Sequence, residues 1–130
     1  MIRYWISSNN HEKALSQLLS TISSQKVTYI NTTTPELLLN IADPTLYDSI
    51  NYEHVIDLQA LLQVQLSSVV VIENLSSLYQ GQIVNNDKVS FFISEILQKI
   101  ENDEKVDEFY LIDVRRSRFI EVMCDEVCVF

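Results

Sequence analysis

Ser67-Ser-Val-Val-Val-Ile-Glu-Asn-Leu-Ser-Ser-Leu-Tyr79 decides how the rest of the chain is read. Val69 to Ile72 are four consecutive β-branched residues, apolar on both faces of a pleat, and they run straight into the carboxylate of Glu73. Such a run, bounded by polar residues, predicts a central strand covered by helices on both sides. Ligands of open parallel α/β sheets bind just outside the carboxyl ends of the strands, so Glu73 stands where chemistry would take place.

The flanking sequence extends the same pattern in both directions. Ile2 to Ile6 predicts a first strand. Ser7-Ser-Asn-Asn10 then offers N-caps to an amphipathic helix with Ala14, Leu15, Leu18, Leu19 and Ile22 on one face. Lys26 to Asn31 predicts a second strand, and Thr34-Pro35-Glu36 caps a short helix through Ile41, with proline at the first helical position. Asp43-Pro44 breaks that helix and opens a loop to Tyr52, before a short strand over His54 to Leu58 and a short helix over Leu58 to Gln65. Beyond the central strand, Asn86 or Asp87 caps a helix with Val89, Phe92, Ile93, Ile96, Leu97 and Ile100 along one stripe. Phe109 to Val114 is a further buried strand. Phe119 to Met123 and Val127 to Phe130 read as a terminal strand pair around Cys124-Asp125-Glu126. Helix and strand alternate up to Val114 and strands dominate after it. The expected fold is therefore a single three-layer α/β domain over residues 1–130, mainly parallel, with an antiparallel C-terminal edge and with Val69 to Ile72 lying between the strands at Ile2 to Ile6 and Phe109 to Val114.

Composition narrows the chemistry. At 130 residues and 47% hydrophobic, the chain can bury a full core. No run of about 18 uncharged apolar residues occurs, and Met1 to Asn9 lacks the basic start and apolar core of a signal peptide. The expectation is a soluble, intracellular protein that does not engage a membrane. A formal charge of −9 argues against a surface that wraps phosphates everywhere, although not against a local basic patch. Cys124 and Cys128 are too far apart on one strand face for an unstrained disulfide and read as free thiols; His11 and His54 are isolated, and no metal-ligand spacing occurs. No Ser-His-Asp order, paired catalytic carboxylates or nucleophile elbow stands out, so no enzyme is expected. There is one glycine, Gly81, against an average usage of about 7%. Phosphate-cradling loops need glycines so that backbone N–H groups can close on the phosphates, and a single glycine after the Glu73 strand cannot supply one.

On the first strand-to-helix turn, Ser7-Ser-Asn-Asn-His-Glu-Lys-Ala14 falls on the P-loop template G-x-x-x-x-G-K-[ST] at the right spacing with one match, Lys13. Ser7 replaces the first glycine, Glu12 the second, and Ala14 the hydroxyl that would hold magnesium. Val69 to Leu78 resembles the Walker B strand of RecA-like recombinases, with glutamate for the usual aspartate. Together with the strand about one helix later, the whole chain resembles a small RecA-like core of the degenerate, pseudo-ATPase kind. Within that group it is most similar to the non-catalytic subunits of the Shu complex, which assist a recombinase on DNA, on the strength of the lost P-loop, the size and the phrase Val71-Ile-Glu-Asn-Leu-Ser-Ser-Leu78. A weaker resemblance is to the RecA-like accessory subunits of Elongator, which act in tRNA modification, and an unrelated α/β protein-interaction module is the third reading.

The resemblance implies a nuclear subunit of a hetero-oligomer with no cofactor. It also implies DNA contact at the loop after the Phe109 strand, where Arg115, Arg116 and Arg118 cluster. Each of these features has a plainer reading: Lys13 as a solvated side chain, Glu73 as a cap or a partner of an internal cation, and the three arginines as a charged turn. Trp5, Tyr29, Tyr47, Tyr52 and Tyr79 lie outside the strongest core pattern and are candidates for an association surface, with core packing as the alternative for each.

Overall fold

Val69–Glu73 is buried at every residue, as a strand covered on both faces must be. The computed structural model describes residues 1–7, 10–22, 25–32, 49–79 and 86–130, with Tyr79 and residues 86–88 described through their backbone alone. The described strands are β1 (Ile2–Ile6), β2 (Val27–Asn31), β3 (Ile50–His54), β4 (Val69–Glu73), β5 (Glu108–Asp113) and β6 (Glu126–Val129); the helices are α1 (His11–Ile22), α2 (Leu58–Leu61), α3 (Ser76–Tyr79), α4 (Asn86–Glu101) and α5 (Arg118–Glu121). The strands form one sheet in the order β3-β2-β4-β5-β1-β6, and all five pairings are parallel.

The chain crosses from β1 to β2 in one direction along the sheet through α1, and from β3 to β4, β4 to β5 and β5 to β6 in the other. With a single crossover hand, opposite directions must place their helices on opposite faces. That is observed. Ala14, Leu15, Leu18, Leu19 and Ile22 of α1 pack with Val27, Tyr29, Val69, Val71, Tyr110 and Ile112 on one face. Residues of α2 to α5, among them Leu58, Leu61, Leu78, Ile96 and Ile120, pack with Ile2, Tyr4, Ile6, Ile30, Val70, Ile72 and Leu111 on the other. Each fully buried leucine or isoleucine side chain contributes roughly 1.5–3 kcal/mol, so the four on α1 are enough to clamp that helix to the sheet. The three-layer α/β architecture is thus the expected one.

The detail departs from expectation in the strand order, the terminal edge and the segment before β4. Val69–Glu73 is central, but its neighbours are β2 and β5; β1 lies one strand further out, beyond β5. The terminal edge is parallel rather than antiparallel. Ser117 is the reason, since its Oγ accepts from the Ile120 N–H at 3.4 Å and starts a helical turn where a strand was expected over Phe119 to Met123. A helical crossover returns the chain in its original direction, so β6 adds to β1 in parallel. The strand expected at His54 to Leu58 is displaced upstream to Ile50–His54, and the helix from Leu58 ends at Leu61. The helix expected through Ile41, with Tyr47 and Gly81, lies outside the described residues. No described helix is long and apolar enough to cross a membrane.

Candidate functional site

Four adjacent strands, β2, β4, β5 and β1, each give way to a buried polar side chain at their carboxyl ends. These are Asn31, Glu73, Asp113 and, one residue past β1, Ser7, none of them more than 4% exposed. The register explains the juxtaposition: Asn31 pairs with Glu73, Glu73 with Ile112, and Ile6 with Asp113. α1 and the helices after β4 leave on opposite faces, so this edge is a topological switch point, the usual ligand crevice of such sheets.

Here the described polar side chains are bonded to one another. Glu73 Oε1 lies 2.7 Å from His11 Nε2, and Oε2 accepts from the Tyr29 hydroxyl at 2.5 Å and from Asn31 Nδ2 at 2.7 Å. His11 Nδ1 in turn lies 2.6 Å from Ser7 Oγ, which is also 3.1 Å from the Asp113 carbonyl oxygen. Both protonation states of the imidazole are satisfied. A neutral ring protonated at Nε2 donates to Glu73 and accepts from Ser7; an imidazolium donates to both, and the Ser7 proton turns to the Asp113 carbonyl. Burial, followed by the neighbouring Glu73 charge, pushes the Tyr29 hydroxyl well above its ordinary range and keeps it a donor.

A second cluster adjoins the first. Asn74, directly after Glu73, has φ 60°, a left-handed conformation that asparagine tolerates better than most residues. The elbow is pinned by its N–H to the Ile112 carbonyl at 2.9 Å and brings Ser76 under Asp113. Ser76 Oγ donates to Asp113 Oδ1 at 2.8 Å, and its N–H to Oδ2 at 3.2 Å. Burial pushes the Asp113 carboxyl up, while bonds from Ser76 and from the Arg115 and Val114 backbone pull the other way.

Ser7, His11 and Glu73 form a serine–histidine–carboxylate chain, an arrangement that nucleophilic enzymes use. Its serine is fully buried, and a nucleophile must reach its substrate. His11 is therefore not isolated, as its sequence context suggested, and Ser7 is not merely a lost glycine. Glu12 and Lys13, by contrast, are exposed on the first turn of α1, and Ala14 is buried in the core. The side chain that reaches Glu73 from the start of α1 is thus His11 rather than Glu12. The signal for Asn31 was legible as a polar residue closing a predicted strand, and that for Asp113 as an acid inside the strand predicted over Phe109 to Val114. Nothing in the spacing marked Tyr29, which is core rather than surface. Trp5 and Tyr52 are half-buried.

The arginine loop starts at the same sheet edge. Tyr4, buried in β1, donates its hydroxyl to the Arg115 carbonyl at 3.2 Å and accepts from the Ser117 N–H at 2.9 Å, which fixes the turn from below. Arg115, Arg116 and Arg118 are all exposed, but Arg116 is held by both oxygens of Glu121. Among the described residues no group of three or more histidines, cysteines or acids is placed to hold a metal ion. A shallow cleft lined by Lys26, Ser49, Asn51, Gln65 and Ser67 sits at the amino ends of β2 and β3, away from Glu73. No protein-family model and no curated protein matches the chain.

Proposed function

We propose that this chain is a non-catalytic, RecA-like subunit of a hetero-oligomer that assists homologous recombination and DNA repair in the nucleus, contacting DNA through the loop after β5. The observation that supports the non-catalytic part is the internal use of Glu73. A Walker B acid acts by holding a magnesium ion and its water beside a nucleotide, whereas this carboxylate already accepts from Tyr29 and Asn31 and bonds His11. Equilibrium dialysis against Mg-ATP tests this reading, and no binding is expected at millimolar nucleotide. Micromolar binding that Lys13→Ala abolishes would overturn it.

The arrangement of the arginines supports a small electrostatic contact. With Arg116 engaged by Glu121, Arg115 and Arg118 are left to meet about two phosphates, which on a −9 chain makes weak, salt-sensitive binding that a partner must complete. Replacing Arg115, Arg116 and Arg118 with alanine in the assembled complex is expected to lower the slope of log K against log salt by about 1.8 on duplex DNA. The fold should be unchanged, because exposed charges add little to stability. An unaltered affinity and slope would make the loop a solvated turn. Loss of RNA binding instead, with single-stranded tRNA fragments competing better than DNA, would move the assignment to the tRNA-modification class.

A further inference from the structure

β6 is the one described strand whose four residues are all exposed, and among the described residues no strand pairs with its outer edge. The Phe130 N–H donates to the Ile6 carbonyl at 2.8 Å, so by the alternation of a strand the backbone groups of Glu126 and Cys128 also face β1. Those of Val127 and Val129 face outward. Their side chains are 39% and 59% exposed, and Val122, at the end of α5, is 80% exposed. Edges are commonly blunted by charged side chains, proline or a bulge; the one charge on β6, Glu126, is paired with Arg3, and the outward residues Val127 and Val129 carry none. The other described edge, β3, carries Asn51, Glu53 and His54.

We propose that this edge pairs with the β6 edge of a second copy of the chain, antiparallel and centred on Cys128, continuing the sheet across a two-fold axis. The argument is one of self-complementarity. Val127 and Val129 are placed symmetrically about Cys128. In the register that sets Cys128 opposite its symmetry mate, Val127 of each copy faces Val129 of the other as a hydrogen-bonded pair, and all outward N–H and C=O groups are satisfied in four bonds. Charge favours the same register. Glu126, already beside Arg3 at 3.3 Å, falls opposite Phe130 of the other copy. The two Glu126 carboxylates then lie about four residues, or ~13 Å, apart along the strand, beyond the screening length of about 8 Å at physiological salt. One residue pair of slip that centres the pairing on Val127 would move Glu126 opposite Cys128 and Asp125 opposite Val129, placing carboxylates against the apolar pair.

The register makes a sharp chemical prediction. The two Cys128 residues form a non-hydrogen-bonded pair with Cα atoms about 4.5 Å apart, inside the range a disulfide spans. Diamide should then join them: the two thiols lose two protons and two electrons, the N=N bond is reduced to the hydrazine, and one S–S bond forms. Cys124, half-buried at the end of α5, is not at the edge. The purified full chain is expected to sediment as a dimer at ~100 µM and to dissociate on dilution. Diamide should give a covalent dimer that Cys128→Ser abolishes and Cys124→Ser leaves intact. Val129→Pro removes only an outward N–H, and a Val127→Lys, Val129→Lys double variant sets like charges opposite each other; both should keep the far-ultraviolet circular dichroism and sediment as monomers. A monomeric wild-type chain at that concentration would overturn the proposal, whether or not another protein's strand takes the edge. So would a dimer that crosslinks through Cys124, fails to crosslink at Cys128, or survives both edge variants. The proposal is independent of the nucleic-acid reading, and neither stands or falls with the other.

Discussion

Glu73→Ala is expected to destabilise the domain by about 3–5 kcal/mol, because three groups lose the partner they share and each buried group left unsatisfied costs about 1–3 kcal/mol. The effect has three sources, because the substitution leaves the Tyr29 hydroxyl, Asn31 Nδ2 and His11 Nε2 facing an apolar methyl with little water to replace the carboxylate. Glu73 is 4% exposed, so solvent cannot rescue the cluster without opening the sheet edge. For a domain of this size the loss corresponds to a fall in Tm of roughly 10–20 °C. Glu73→Gln keeps an acceptor for Tyr29 and Asn31 and turns an amide toward His11, so a smaller cost, about 1–3 kcal/mol, is expected. Glu12→Ala and Lys13→Ala, on the exposed first turn of α1, should stay within about 0.5 kcal/mol. Urea denaturation of the four variants measures this ordering. A Glu73→Ala loss below 1 kcal/mol would mean that the cluster is hydrated and open, and a ligand site at that edge would then have to be reconsidered.

Alkylation should separate the two thiols by orders of magnitude. Cys124 is half-buried, its Sγ donates to the Ile120 carbonyl at 3.2 Å, and burial, with the Asp125, Glu121 and Glu101 charges adding to it, pushes its pKa up to about 12. At pH 8 only about one Cys124 in 10⁴ is then the reactive thiolate. Its rate should climb about tenfold per pH unit toward that value, since each unit multiplies the thiolate fraction by ten. Cys128 is exposed on β6 and should be modified first. Iodoacetamide labelling at pH 8, followed by peptide mass spectrometry, reads both sites in one experiment. Equal rates at the two cysteines would contradict the burial of Cys124, and with it the docking of α5 that turns β6 parallel.

The layered α/β class was legible because it rests on periodicity. A four-residue β-branched run cannot be amphipathic in a strand, so Val69 to Ile72 had to be covered twice, and the stripes Ala14 to Ile22 and Val89 to Ile100 named the helices that face the sheet. Glu73 was legible as a site residue because strand polarity places its end at the ligand edge. The terminal strand direction was lost on one residue. Ser117 as a helix cap outweighs the strand-like composition of Phe119 to Met123, and a crossover in place of a hairpin reverses the last strand.

The site itself belongs to tertiary structure. His11 and Glu73 are 62 residues apart, and Tyr29 and Glu73 are 44 apart; no local pattern links them. They meet because β2 inserts beside β4 while α1 crosses the sheet face from β1 toward β2, an order set by crossover direction rather than by sequence spacing. The outer edge of β6 is likewise a consequence of which strand comes last in the sheet among the described residues, and the exposure of Val127 and Val129 has no counterpart in hydropathy. By itself the sequence determined the strands Ile2–Ile6, Val27–Asn31 and Val69–Glu73 and the helices His11–Ile22 and Asn86–Glu101, because each of those segments carries its own apolar period, whereas the short segments at His54 to Leu58 and Phe119 to Met123 do not. Only the folded chain decided which strand ends share a crevice and which side chains bond there, since that depends on contacts between residues that the sequence holds far apart.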